Sequence, residues 1–186
     1  SLDISIIVPM KRVNKIMTKL IVGCFVGVSA TLLVLIISGT LGSIGTEFGS
    51  LKSSILTYST SGIRTYEPIR NFMMSWIIMS ILSMLFISNV IFVLSVLLKK
   101  KISCFFSSLL FLFACTWGCT KIVPIFSIVH LIPTTYLNCL QVLSGEIGYL
   151  TQNNNINALT GIIVLLICNI VLTIINFSLM KMREVK

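Results

Sequence analysis

Three long stretches of the chain carry no charged residue: Leu20 to Thr46, Asn71 to Leu98, and Ile147 to Met180. A shorter fourth runs from Ile102 to Thr120. A helix rises about 1.5 Å per residue, so roughly 20 apolar residues cross the ~30 Å hydrocarbon layer of a bilayer. Each stretch is long enough for one crossing. An apolar helix face is ordinary in lipid, whereas a polar or charged one is costly and needs a partner. The other residues are therefore read with the membrane as solvent.

The expected fold is an all-α integral membrane protein with four transmembrane helices, at about residues 20–39, 71–98, 102–129 and 158–180. Composition agrees, since 56% of residues are hydrophobic and only 10% are charged. The longest stretches between spans, about Gly39 to Ile69 and Leu131 to Asn157, are too short to build a core of their own. Residues 1–186 are therefore expected to form a single transmembrane domain.

The stretch Ile122 to Gly145 is also uncharged, but it holds Pro124, His130, Pro133, Asn138 and Gln141. Two prolines and a polar second half suit a broken segment better than a lipid-facing helix. The third span is thus expected to run on, long or kinked, to about Val129. A re-entrant helix over residues 134–144 should then dip back into the outer leaflet, and Asn153 to Asn157 make a polar turn before the last span.

Basic residues cluster by position. Lys11, Arg12, Lys15 and Lys19 precede the first span, Lys99 to Lys101 separate the second from the third, and Lys181, Arg183 and Lys186 follow the last. With four spans, these ten of the fourteen Lys and Arg residues fall on one side. The other side holds Lys52, Arg64 and Arg70, with Lys121 near its boundary. The positive-inside rule then places both termini in the cytoplasm of a multi-pass protein of the cell membrane. The net charge of +9 reads as a basic rim facing anionic membrane lipid. Nucleic-acid binding is not expected, because no basic patch is interleaved with exposed aromatics.

In the outer loop, Phe48, Leu51, Ile55 and Tyr58 recur at helical spacing. That pattern suggests a short amphipathic helix on the outer surface, beside the plainer reading of a surface-lying linker. Soluble-enzyme signatures are absent: there is no GxxxxGK[ST] phosphate loop, no HExxH and no GxSxG, and the five carboxylates are scattered. No enzyme activity, cofactor or metal is expected. Cys115 and Cys119 share a helix face but have no histidine or carboxylate co-ligand nearby, so the thiols read as small apolar side chains. His130 reads as a hydrogen-bonded interfacial residue.

The juxtamembrane segment Val8 to Lys19 is amphipathic. Pro9 suits the first turn of a helix, Lys11, Lys15 and Lys19 then repeat at i+4, and Val13, Ile16 and Leu20 form an apolar stripe beside them. The run Val8 to Gly23, VPMKRVNKIMTKLIVG, resembles the segment that enters the second span in ABC-2 type exporter permeases. The ending Phe177 to Val185, FSLMKMREV, is similar to the one that closes their last span. Between them, the basic turn at Lys99 to Lys101 and the proline and tyrosine stretch Ile132 to Leu137 come in the order the resemblance leads one to expect. Such permeases typically have six spans. This chain offers four and resembles the back part of a permease half lacking the first span, which fits a serine at position 1.

The resemblance implies a transmembrane permease subunit of an ATP-driven exporter. A separate ATP-binding subunit would dock on the cytoplasmic segment through Pro9, Lys11, Arg12, Lys15 and Lys19. Its closure around ATP would tilt the attached spans to alternate access. A second permease half, as a homo- or heterodimer, would complete the path.

Polar residues within the spans are the other candidates. Ser88 and Asn89 in the second span, and Asn169, Thr173 and Asn176 in the last, form a stripe that should turn away from lipid. It serves either helix-to-helix hydrogen bonding or substrate contact. Gly23, Gly27 and Ala30 read as a small-residue packing seam on the first span. The alternative function is a non-transporting membrane protein that gives immunity to, or regulates the response to, a membrane-active peptide. An intramembrane enzyme is a third class, with no clustered catalytic set to carry it.

Overall fold

The computed structural model describes residues 12–43, 53–59, 61–98, 101–122 and 125–184. In chain order the described elements are α1 (Arg12–Ser43), β1 (Ser54–Tyr58), β2 (Arg64–Pro68), α2 (Ile69–Leu97) and α3 (Lys101–Lys121). Two 3-10 turns follow at Val129–Leu131 and Pro133–Leu137, then α4 (Cys139–Leu143), α5 (Glu146–Thr151) and α6 (Ala158–Glu184). Helices α1, α2, α3 and α6 are long and apolar enough to cross a membrane. Their outward faces carry bare apolar side chains such as Phe25, Phe113 and Leu159, each more than two-thirds exposed. Such faces suit lipid rather than water.

Helix α2 is the hub. It packs most extensively along α6, next along α1, and then along α3. Met79 and Phe86 of α2, Leu165 of α6, Tyr136 and Ile147 form the centre of the buried core.

Close pairs set the helix directions. A Cβ built on Gly27 of α1 would meet Met84 at 3.1 Å, and one on Gly23 would meet Ser88 at 3.7 Å, so α1 and α2 run antiparallel. The Cys104 thiol of α3 points to the Ile91 carbonyl of α2 at 3.8 Å, again antiparallel. Gly161 lies against Met79 and Asn176 against Asn89, so α2 and α6 run parallel. The start of α1, the end of α2, the start of α3 and the end of α6 therefore share one end of the bundle. The strands and residues 125–157 share the other.

Three sequence expectations are corrected. The first concerns Ile55 and Tyr58, which lie on a strand rather than a helix; Phe48 and Leu51 lie outside the described residues. β1 and β2 pair antiparallel, with Thr57 opposite Thr65 and their hydroxyls 2.8 Å apart. The β-branched and aromatic residues on both sides of Ser61-Gly62 favour a pleated strand. Gly62, at φ +77°, takes the left-handed turn position.

The second correction is that α3 stops at Lys121, short of Val129. Ile122 N–H still bonds back to Gly118 at 3.1 Å, but Ile128 and Leu131 bond only three residues back. Pro124 disfavours the α conformation in the residue before it and lacks the N–H a helix needs. The third correction is that residues 134–144 hold a 3-10 turn followed by the short α4 rather than one helix.

The hairpin is strapped to this irregular cap. Tyr58 N–H donates to the Ser144 carbonyl at 2.8 Å. Gly145 follows at φ +78°, where a Cβ would overlap the Tyr58 carbonyl oxygen. Asn157 then caps α6, its side-chain oxygen accepting from Thr160 N–H at 2.9 Å.

Candidate functional site

Polar groups converge in two places, the α2–α6 seam and the irregular cap. In the seam, the Asn89 side-chain amide donates to the Asn169 side-chain oxygen at 3.0 Å. Asn169 gives its own amide hydrogens to the Leu165 carbonyl at 2.9 Å and the Leu82 carbonyl at 3.1 Å, so its polar atoms are all engaged. Asn176 donates to the Asn89 side-chain oxygen at 3.3 Å and to the Asn89 carbonyl at 3.4 Å. The result is a one-way chain of amides from Asn176 through Asn89 and Asn169 to the main chain.

Asn176 is 0% exposed, yet its side-chain oxygen has no hydrogen-bond partner among the described residues. Turning the amide over would set that oxygen against two acceptors of Asn89, so the observed orientation is the better one. An acceptor left unsatisfied in a buried site costs about 1–3 kcal/mol.

Thr173 bonds back to the Asn169 carbonyl at 2.8 Å, a local contact within α6. With Asn89 and Asn169 it lines a cleft of about 600 Å³ whose other described walls, among them Ile21, Leu85, Ile170 and Phe177, are apolar. Ser88 does not join the chain; it faces Gly23 of α1. Successive residues on a helix point about 100° apart, which sends Asn89 to α6 and Ser88 to α1.

In the cap, Asn153 donates to the Phe126 carbonyl at 2.9 Å and lies 3.2 Å from His130 Nδ1. Tyr136 donates its hydroxyl to the His130 carbonyl at 2.8 Å. Thr135 bonds to the Val129 carbonyl at 3.0 Å. Cys119 lies 3.6 Å from the Thr134 hydroxyl, which gives its thiol a packing partner. Ser83 of α2 donates to the Tyr136 carbonyl at 3.3 Å, and the Cys139 thiol donates to the same oxygen at 3.2 Å. Sequence reasoning missed this cap lock, whose signal was the Thr, Tyr and Asn content between Pro133 and Asn157.

Of the expected docking residues, Pro9 and Lys11 lie outside the described residues, while Arg12, Lys15 and Lys19 fall on the first turns of α1. Compared with models of known protein families, curated proteins and solved structures, the chain matches none.

Proposed function

We propose that this chain is a membrane permease subunit of an ATP-driven exporter of the ABC-2 type, worked by a separate ATP-binding subunit. The observation that carries this reading is α1, a continuous helix from Arg12 to Ser43 that runs from the basic segment through the apolar window Ile21–Ser38. Force applied at Arg12, Lys15 and Lys19 passes along a hydrogen-bonded helix rather than being lost in a loop. Because α1 packs mainly on α2, over a seam that includes Gly23 and Gly27, it has room to tilt as a lever.

Charge sets the orientation in this proposal. The bundle end with Arg12, Leu98, Lys101 and Glu184 is cytoplasmic, since the described basic residues Arg12, Lys15, Lys19, Lys101, Lys181 and Arg183 all fall on the helix ends at that side. The hairpin and cap face outside, with residues 134–144 as a re-entrant element in the outer leaflet. A second permease half completes the translocation path.

The test is recovery of an ATP-binding subunit with the chain from its own membranes. Reversing Lys11, Arg12 and Lys15 to glutamate should abolish that recovery while leaving insertion intact. Unchanged recovery from the correctly inserted variant would overturn the docking role. A native chain recovered with no ATPase at all would favour the non-transporting reading.

A further inference from the structure

Where α2 meets the start of α4, Trp76, Asn138 and Gln141 line a cleft of about 330 Å³. A second cleft of about 260 Å³ shares Trp76, Ser80, Leu137 and Cys139 with it, and adds an apolar wall from Ala30, Val34, Met84 and Ile87. Their shared ridge is held firmly, because Ser83 and Cys139 both bond to the Tyr136 carbonyl.

The first cleft has the opposite character. Among the described residues, the Trp76 indole N–H and the side-chain amides of Asn138 and Gln141 make no hydrogen bond, and Asn138 does not cap α4 although it stands at the capping position. An indole offers one donor, and each amide offers both donors and an acceptor. Three unengaged hydrogen-bonding groups thus converge on one cavity, and among the described residues no charged side chain lines either cleft.

We propose that the paired clefts bind an uncharged amphiphile, with a carboxamide head against Trp76, Asn138 and Gln141 and an apolar chain along Val34, Met84 and Ile87. A carboxamide matches the donor and acceptor pairs that Asn and Gln present. A charged head would lose its water without gaining a counter-ion. The first cleft falls in the size range of small-ligand sites, about 300–1,000 Å³. On the exporter reading this names the class of cargo, but binding itself needs no ATPase, so the two stand or fall in different experiments.

The chain has two tryptophans, so Trp117→Phe leaves Trp76 as the only indole. That variant is reconstituted in phosphatidylcholine vesicles and titrated with 4-bromoundecanamide, whose bromine stays near the head. Controls are the sulfonate and trimethylammonium analogues of the same chain length. Quenching of Trp76 should saturate with the amide, at a concentration about tenfold below either charged analogue. Adding Asn138→Leu and Gln141→Leu should leave only a linear partitioning background. Because Gln141 is exposed and its truncation spares the fold, Gln141→Leu alone should still weaken binding about threefold. Linear quenching that is the same for all three headgroups and unaffected by Gln141→Leu would overturn the proposal.

Discussion

Asn89 donates its side-chain amide hydrogen to Asn169 at 3.0 Å, joining two helices through residues 80 positions apart in the chain. Asn89 also accepts from Asn176, so it is the middle link between a fully engaged amide and one with a bare oxygen. The three asparagines therefore contribute unequally to holding α2 against α6.

Asn169→Leu strands the Asn89 donor and should cost about 1–3 kcal/mol. Asn176→Leu removes two long bonds and exchanges its own unsatisfied oxygen for that of Asn89, so it adds no net unsatisfied group and should cost about 1 kcal/mol less. Unfolding of the solubilised protein by sodium dodecyl sulfate measures both. The double variant Asn89→Leu, Asn169→Leu should fall short of the sum of its parts, as expected for residues in contact.

Gly145 and Gly62 share a left-handed backbone but not a neighbourhood. Gly62→Ala should cost about 1 kcal/mol of backbone strain, since the nearest atom, on the Tyr149 ring, is 3.4 Å away. Gly145→Ala meets the same strain and also overlaps the Tyr58 carbonyl, so it should free the hairpin from Ser144. Limited proteolysis between Ser53 and Pro68 should then speed up in Gly145→Ala and not in Gly62→Ala.

Much of this architecture was legible because it rests on long-range hydropathy. Long uncharged runs located α1, α2 and α6, and the expected limits of the second span, 71–98, differ from α2 (Ile69–Leu97) by one or two residues. The hairpin was hidden because Ile55 and Tyr58 fit a helical spacing as well as a strand. The spacing of Asn169, Thr173 and Asn176 gave a common face on α6, but nothing in α2 alone told Ser88 from Asn89. Only the packing of α2 between α1 and α6 separates those two neighbours. The cap is least legible, because its order comes from side chain to main chain bonds such as Asn153 to Phe126 and Tyr136 to His130.

Gly161 and Gly23 make a further contrast. A Cβ on Gly161 would fall 2.5 Å from the Tyr136 ring and 3.0 Å from Met79. Gly161→Ala should therefore destabilise by about 1–3 kcal/mol through overpacking. Gly23→Ala meets nothing nearer than Ser88 at 3.7 Å, and its gain in helix propensity, about 1 kcal/mol, should leave it neutral or better. Thermal unfolding in detergent ranks the two.

On the proposed topology, the chain crosses the membrane an even number of times with its basic ends together in the cytoplasm. The most direct measurement is labelling of single-cysteine substitutions at Ser53, Lys100 and Asn154 with an impermeant maleimide on intact cells, each read against the parent chain. Positions 53 and 154 should be labelled from outside, and position 100 only after the cells are opened. Labelling of position 100 on sealed cells would contradict that topology.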